Sequence, residues 1–464
     1  MSRPGRIIEV PYVADSSRRF DRLSRLPWCV FLDSGWPGCT RGRYDILTAD
    51  PYLTLTTHGE TTVISGRDRR QVTAEDPFAV LRRELGPPIE PAGDLPFAGG
   101  AIGYFAYDLG RRIERLPVAA TADITMPDMA IGLYDWAIVV DHEARQSWVV
   151  SGGRDAKAGD EWSNLIEVAH SETPVAFCPS FRVLSGVRAN MTRDEYAERL
   201  ARIKAYLRDG DVYQVNFAQR FSAAAEGDPW DAYKYLRLLN PAPYSAYMRI
   251  DDGAVLSSSP ERFLRVREGR VETRPIKGTR PRSADHGRDR ALIEELRASP
   301  KDRAENVMIV DLLRNDLGKT CRVGSVEVPM LFDVESYATV HHLVSTVTGR
   351  LAGDVHVIDL LRGCFPGGSI TGAPKVRAME IIEELEPHRR SVYCGAIGYL
   401  GYDGGMDTNI AIRTLVYNRG RMHCWAGGGI VMDSVTADEY QESFDKAAAM
   451  LKLFMHTEDR FVEP

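Results

Sequence analysis

At 464 residues the chain is too long for one small core, and 44% apolar with 27% charged residues is ordinary for a folded globular protein. A net charge of -7 argues against a nucleic-acid partner held by bulk electrostatics, and no apolar run is long enough to span a bilayer. Seven cysteines, odd in number and without a Cys-x-x-Cys pair, suggest neither a disulfide framework nor a zinc site; with a start that lacks a signal-peptide core, they predict a reduced, cytoplasmic protein.

The first half is rich in strand-like pieces separated by turns. Residues 28–32, 52–56 and 136–140 read as strands, and 145–150 follows a polar turn and pairs back on the strand before it. Residues 151–160 are the most turn-rich stretch, and 171–190, with Pro174 and Pro179, reads as a connector. The chain is thereby expected to divide into a strand-rich region, 1–180, and a second region, 181–464. Thr192 and Glu195 fit a capping box, opening a helix carried by Tyr196, Leu200, Ile203 and Leu207 and ended by Gly210. Residues 263–267 and 270–273, joined by Glu268-Gly269, read as a hairpin that delivers the chain to Lys277. Helices are expected at 301–317 and 374–386, the second beginning at Pro374 and stopping before Pro387. From 392 to 431 the pattern is a strand meander. Thr436 and Glu439 form a second capping box, opening a last helix to about residue 455. Strands and helices come in separate runs, so the fold class is α+β and not doubly wound α/β.

Lys277 carries the most chemistry. Pro275 and Pro281 restrict the backbone on either side, Gly278 permits a tight bend, and Ile276 adjoins it. A lysine held this way and partly desolvated has a lowered pKa and a nucleophilic amine; the same segment also reads as a surface lysine at a strand end. Asp302 with Glu305, and Glu439 with Glu442, are each three apart on a predicted helix and share a face. Two such faces meeting make an oxygen site suited to Mg²⁺; singly, each is a solvated helix start. Gly367 and Gly372 have the spacing of a phosphate loop, but Ala373 and Pro374 stand where lysine and a hydroxyl residue are needed, so no nucleotide is expected. Gly427, Gly428 and Gly429 let a ligand approach the backbone or form a strand-end turn. Arg413, in the apolar strand-like run 409–416, needs a buried anion, either an internal carboxylate or a substrate acid. His342 stands at an apolar boundary, as a core histidine or a contact residue.

These pieces, in this order, resemble the chorismate-utilising enzymes, the family of the anthranilate, isochorismate, salicylate and aminodeoxychorismate synthases. The match is detailed from about residue 190 to 455. It includes Asp211-Val-Tyr-Gln214, Pro275-Ile-Lys277-Gly-Thr, Arg303-Ala-Glu305-Asn, His342-Leu-Val-Ser, Gly372-Ala-Pro-Lys375, Ala426-Gly-Gly-Gly-Ile and Glu439-Tyr-Gln-Glu442. The resemblance implies a layered α+β fold, antiparallel sheets packed between outer helices, with chorismate and Mg²⁺ in a deep cleft. It implies Glu305 and Glu442 as metal ligands, with Asp302 and Glu439 nearby. It implies Arg413, Tyr393 and the backbone of Gly427, Gly428 and Gly429 on the chorismate carboxylates, with Lys446 near. His342 would meet the ring region, Gln214 and Thr371 would contact substrate, and Glu261 would be the general acid for the departing hydroxyl.

Lys277 stands where anthranilate synthases typically have alanine and the aminodeoxychorismate branch has lysine. Gln214 replaces the lysine that activates water in the isochorismate- and salicylate-forming branches. The implied activity is amination of chorismate to 4-amino-4-deoxychorismate, toward para-aminobenzoate and folate, through a covalent Lys277 intermediate. No glutaminase segment is visible, so ammonia is expected from a glutamine amidotransferase subunit. The alternatives are an anthranilate-forming enzyme and a non-catalytic protein that binds chorismate or tryptophan. Ser34 and Pro241 lie in segments that resemble a tryptophan pocket.

Overall fold

The computed structural model describes residues 5–90, 93–170, 180–337 and 340–455. Cys178 and the connector residues Pro174 and Pro179 lie outside the described residues. Two large sheets form the body. A 13-stranded sheet runs from Arg6–Val10 through Trp136–Asp141, Val30–Asp33, Gly253–Ser259, Thr414–Asn418 and Arg421–Ile430 to Gln214–Glu226 and beyond. A 12-stranded sheet runs from Ile276–Pro281 through Val340–Arg350, Arg262–Arg267, Met406–Ile410 and Ala396–Gly401 to Gly100–Phe105 and beyond. Their ladders are antiparallel. This is the expected α+β class, with helices outside the sheets. Strands from either side of residue 180 share both sheets: Val30–Asp33 pairs with Tyr244–Ile250, and Gly100–Phe105 with Ala396–Gly401.

Central strands of the first sheet are apolar on both faces because both faces are covered. Along Trp136–Asp141, Ala137 and Val139 enter one core while Trp136, Ile138 and Val140 enter another; Val255 and Leu256 divide the same way. The first core holds side chains of both sheets, such as Val215, Phe217 and Leu264. The second joins the first sheet to the outer helices Pro229–Leu239 and Thr436–Phe454, through Trp230, Tyr233, Met450 and Phe454. Among the described residues, no helix is long and apolar enough to cross a membrane.

The capping box at Thr192 and Glu195 forms as expected, and Gly210 ends that helix in the left-handed conformation. Three local expectations change. Residues 151–160 are not all turn, since Asp155 caps a short helix, Ala156–Asp160. The second capping box does not form: Val435 is the N-cap, and Glu439 instead accepts a hydrogen bond from Ser434 Oγ at 2.6 Å. The meander of 392–431 is divided between the sheets, Ala396–Gly401 and Met406–Ile410 in the second, Thr414–Asn418 and Arg421–Ile430 in the first. The chain crosses between them at 411–413, with Arg413 at φ 49°. Alternation with a period of two gives a strand its faces but not its sheet, so this crossing leaves no mark in the pattern.

Candidate active site

A cavity of about 760 Å³ opens where strands of both sheets meet the helices Pro300–Gly318 and Thr436–Phe454. That volume lies in the range of roughly 300–1,000 Å³ typical of small-molecule sites. Lys277, Glu261, Glu305, Arg413, His342 and Glu442 all line it. Asp302, Glu439, Lys446, Tyr393, Gly427 and Gly429 complete the set of expected site residues on its wall.

Lys277 lies on the edge strand Ile276–Pro281, whose register against Val340–Arg350 shifts between Lys277 and Thr279. The expected bend is thus a β-bulge. Gly278 has φ 78°, and a Cβ there would stand 2.9 Å from both Asp302 Cγ and Leu296 Cδ1, so both conformation and space require glycine. Lys277 Nζ donates to the Ser369 carbonyl at 3.1 Å. Burial pushes its pKa down, against the opposing pull of the Glu261 and Glu305 charges. Glu261 is buried, and its Oε1 accepts from Ser369 Oγ at 2.8 Å. Burial pushes its carboxyl up, and the Lys277 charge and the Ser369 hydroxyl pull it back. Desolvation therefore favours a neutral amine beside a neutral carboxylic acid, the forms required of a nucleophile and a general acid.

Arg413 is not inside a strand, as its sequence neighbours suggest, but in the connection between the sheets. It is partly buried, and none of the described residues hydrogen-bonds or ion-pairs with its guanidinium. Burial alone shifts its pKa downward. Of the two partners open to it in the sequence, no internal carboxylate is present among the described residues. His342 is held neutral, its pKa pushed down to about 3 by burial and by the Arg413 charge, and its Nδ1 meets Thr279 Oγ1 at 2.9 Å. Tyr393 stacks on Trp425, ring centroids 6.0 Å apart.

Four carboxylates come from two helices. Burial raises the Glu305 pKa, with Asp302 and Glu442 adding to it against Lys277 and Lys301. Burial raises that of Glu439, opposed by the Ser434 hydroxyl. For Glu442 burial also works upward, but Lys446, Lys301 and Lys277 carry the net shift down. Lys446 Nζ sits 2.6 Å from Glu442 Oε1 and donates to the Gly427 carbonyl at 2.9 Å. Asp302 is committed elsewhere, to Arg280 at 3.2 Å. Glu439 and Glu442 converge on Gly428, where a Cβ would stand 3.1 and 3.2 Å from their oxygens. As they stand, no three acidic, histidine or cysteine side chains among the described residues are close enough to hold an ion. The donor chemistry nevertheless suits a hard dication, because Glu305 and Glu439 are carboxylates whose ionised form burial disfavours and an oxygen-seeking cation would restore.

Gln214, Thr371 and Gly428 do not line the cavity. Gln214 is fully buried behind Gly429, with both amide atoms unpartnered among the described residues. Thr371 Oγ1 donates to the Gly367 carbonyl at 3.1 Å, and its own carbonyl accepts from Asn216 N. Ser34 and Pro241 lie near a second cavity of about 420 Å³ bordered by Asp33, Tyr44 and Tyr244 but do not line it; Ser34 Oγ donates to Asp45 Oδ1 at 2.6 Å. Sequence reasoning missed Ser369, Asn216, Trp425 and Lys301, all of which line the main cavity. Ser369 lies in the glycine-flanked loop 367–372, which was informative only for its backbone. Asn216 is two residues from Gln214 on one strand, and that spacing was the available signal.

The family model for chorismate binding enzymes matches residues 34–452. Aminodeoxychorismate synthase component 1 of Klebsiella aerogenes is 51% identical over 449 residues, covering 96% of this chain and 98% of that protein. The protein of the same name from Escherichia coli K12 is 50% identical over 436 residues, covering 93% and 94%. Among solved structures, anthranilate synthase component I from Streptococcus pneumoniae TIGR4 superposes with a TM-score of 0.79 at 34% identity, covering 88% of this chain and 92% of that one. The chain belongs to the chorismate binding enzyme family.

Proposed function

We propose that this enzyme converts chorismate and ammonia to 4-amino-4-deoxychorismate and water, with Lys277 as covalent nucleophile and Glu261 as acid and base. The observation that carries the reading is the Lys277 amine in the cavity, its pKa lowered by burial, joined through the Ser369 carbonyl and hydroxyl to Glu261, whose pKa burial raises. Identity of about 50% to aminodeoxychorismate synthase components over nearly the whole chain supports it.

In the first step the neutral Lys277 amine bonds to C2 of chorismate. The ring π electrons shift and the C4–O bond breaks, with Glu261 protonating the departing hydroxyl to water. The new ammonium on C2 then returns a proton to the Glu261 carboxylate. In the second step ammonia bonds to C4, the π electrons shift back and the C2–N bond breaks. Glu261 protonates the departing Lys277 amine, and the C4 ammonium gives up its proton to Glu261. One substitution is thus divided into two of lower barrier. Arg413 takes a substrate carboxylate on its free guanidinium, and His342 stays neutral at the ring.

Glu305 and Glu442 are proposed to hold Mg²⁺, with Glu439 beside them. When bound, the ion neutralises substrate carboxylate charge at the acidic side of the cavity. Ammonia is assigned to a glutamine-hydrolysing partner, a reading supported by the designation component 1 of the similar proteins. The six described cysteines are free and buried, which supports a reducing, cytoplasmic setting.

The test is product analysis with chorismate, Mg²⁺ and ammonium, together with mass analysis without ammonium. Aminodeoxychorismate and an adduct on the Lys277 peptide are expected, both lost in Lys277→Ala. Anthranilate as sole product selects the alternative enzyme, and wild-type turnover in Lys277→Ala refutes the covalent route.

A further inference from the structure

One residue touches both reactive groups. Ser369 sits in the turn Gly368–Ile370, buried on the cavity wall. Its carbonyl accepts from Lys277 Nζ at 3.1 Å, and its hydroxyl donates to Glu261 Oε1 at 2.8 Å. The turn is fixed from several sides. Ile370 and Thr371 backbone N–H groups bond to Gly367 and Gly368 carbonyls, and Arg390 donates to the Ile370 carbonyl at 2.9 Å. A Cβ on Gly367 would meet Ile410 Cδ1 at 2.6 Å, and one on Gly368 would meet Leu312 Cδ2 at 2.5 Å, so the loop packs by backbone against both sides.

We propose that Ser369 is a positioning residue that sets nucleophile and acid in one frame, its carbonyl aiming the Lys277 amine and its hydroxyl fixing the rotamer of Glu261. This rests on the roles of Lys277 and Glu261 given above. A carbonyl acceptor takes one N–H of the neutral amine and turns its lone pair away from Ser369, into the cavity. The hydroxyl bonds Oε1, beside the hydrogen bond the carboxyl accepts from the Ile276 backbone, and the two fix the face it turns to the departing group. Without the hydroxyl, the Glu261 carboxyl keeps only the hydrogen bond it accepts from the Ile276 backbone. Its Oε1 then loses a side-chain donor in a site too dry to replace it. The carbonyl contact to Lys277 does not depend on the side chain, so removing the hydroxyl separates the two functions of the residue.

The experiment uses Ser369→Ala and Ser369→Thr in the full chain, with wild type alongside. Three quantities are read: the rate of adduct formation at Lys277 with chorismate and Mg²⁺ but no ammonium, the ammonium-dependent kcat, and the KM for chorismate. Ser369→Ala is expected to lower adduct formation and kcat by about ten- to a hundredfold, with KM within about twofold of wild type. Ser369→Thr, which restores a hydroxyl, is expected to recover most of the rate. Wild-type rates in Ser369→Ala overturn the inference. So does a loss in which KM rises as much as kcat falls and Ser369→Thr gives no recovery, since that describes a purely structural residue. If wild type itself forms no Lys277 adduct, the lysine reading fails, and the inference falls with it for that separate reason.

Discussion

Arg413→Met separates two opposite effects of one side chain. In the free enzyme the guanidinium is desolvated and pairs with none of the described residues. It stabilises nothing there and carries the cost of burying a charge. On substrate it gains a carboxylate held by charge-assisted hydrogen bonds, which contribute about 1.5–3 kcal/mol. Losing them corresponds to a rise of about 10- to 150-fold in KM for chorismate. Methionine keeps a side chain at φ 49°, so backbone strain is unchanged and the comparison isolates the charge. Relief of the unpaired charge should leave the apo variant as stable as wild type or more so, with a melting temperature higher by about 1–2 °C. Initial rates against chorismate and a thermal melt without ligand measure the two effects. A KM within twofold of wild type removes Arg413 from substrate binding. A melting temperature several degrees lower shows that the guanidinium is paired in the resting protein.

Glu305→Gln and Glu442→Gln keep size and hydrogen bonding but remove charge; each should abolish Mg²⁺-dependent turnover and leave the melting temperature within a few degrees. Full activity in either at ordinary Mg²⁺ removes that residue from the proposed metal site. His342 has a folded-state pKa of about 3 against 6.5 unfolded, so the unfolded chain binds the extra proton first. Its contribution to stability is complete above about pH 6.5 and is lost as pH falls from there toward about 3. His342→Gln should therefore lose less stability between pH 6.5 and 4 than wild type in denaturant titrations, and an unchanged pH dependence contradicts the neutral assignment.

How far the sequence could be read depended on where the determinant lay. Lys277 was legible because prolines and a glycine act on their own backbone, and the bulge at Gly278 is the structural form of that restriction. The acidic pairs were legible because helical spacing puts them on shared faces. Asp302 shows the limit of that argument. Its spacing matches Glu305, but the charge facing it is Arg280, from a strand outside its helix, and no local pattern reports such a partner. Thr436 and Glu439 satisfy a capping pattern in sequence, yet Ser434 competes for the same carboxylate from outside the box. Arg413 stands out in sequence as a charge within an apolar strand, but the structure places it in the connection between the sheets, with no partner for its guanidinium among the described residues. Ser369 was invisible in its role because both groups it bonds are distant from it in sequence.

The charges of the cavity are segregated, and this bears on how a substrate with two carboxylates can enter it. Among the described residues, no carboxylate shifts Arg413, and the neutral His342 is the titratable group on which its charge acts. Glu305, Glu439 and Glu442 instead act on one another, offset in part by Lys277, Lys301 and Lys446. One substrate carboxylate therefore has a receptive end. The other, if it reaches the acidic side, meets like charge at low dielectric, where repulsion is strong. A dication proposed between Glu305 and Glu442 reverses the sign of that end and makes both ends receptive. On this reasoning Mg²⁺ acts first on binding: chorismate affinity should fall when Mg²⁺ is withdrawn, and the dependence should disappear in Glu305→Gln. An affinity for chorismate that is indifferent to Mg²⁺ would leave the acidic pairs without an electrostatic task in substrate recognition.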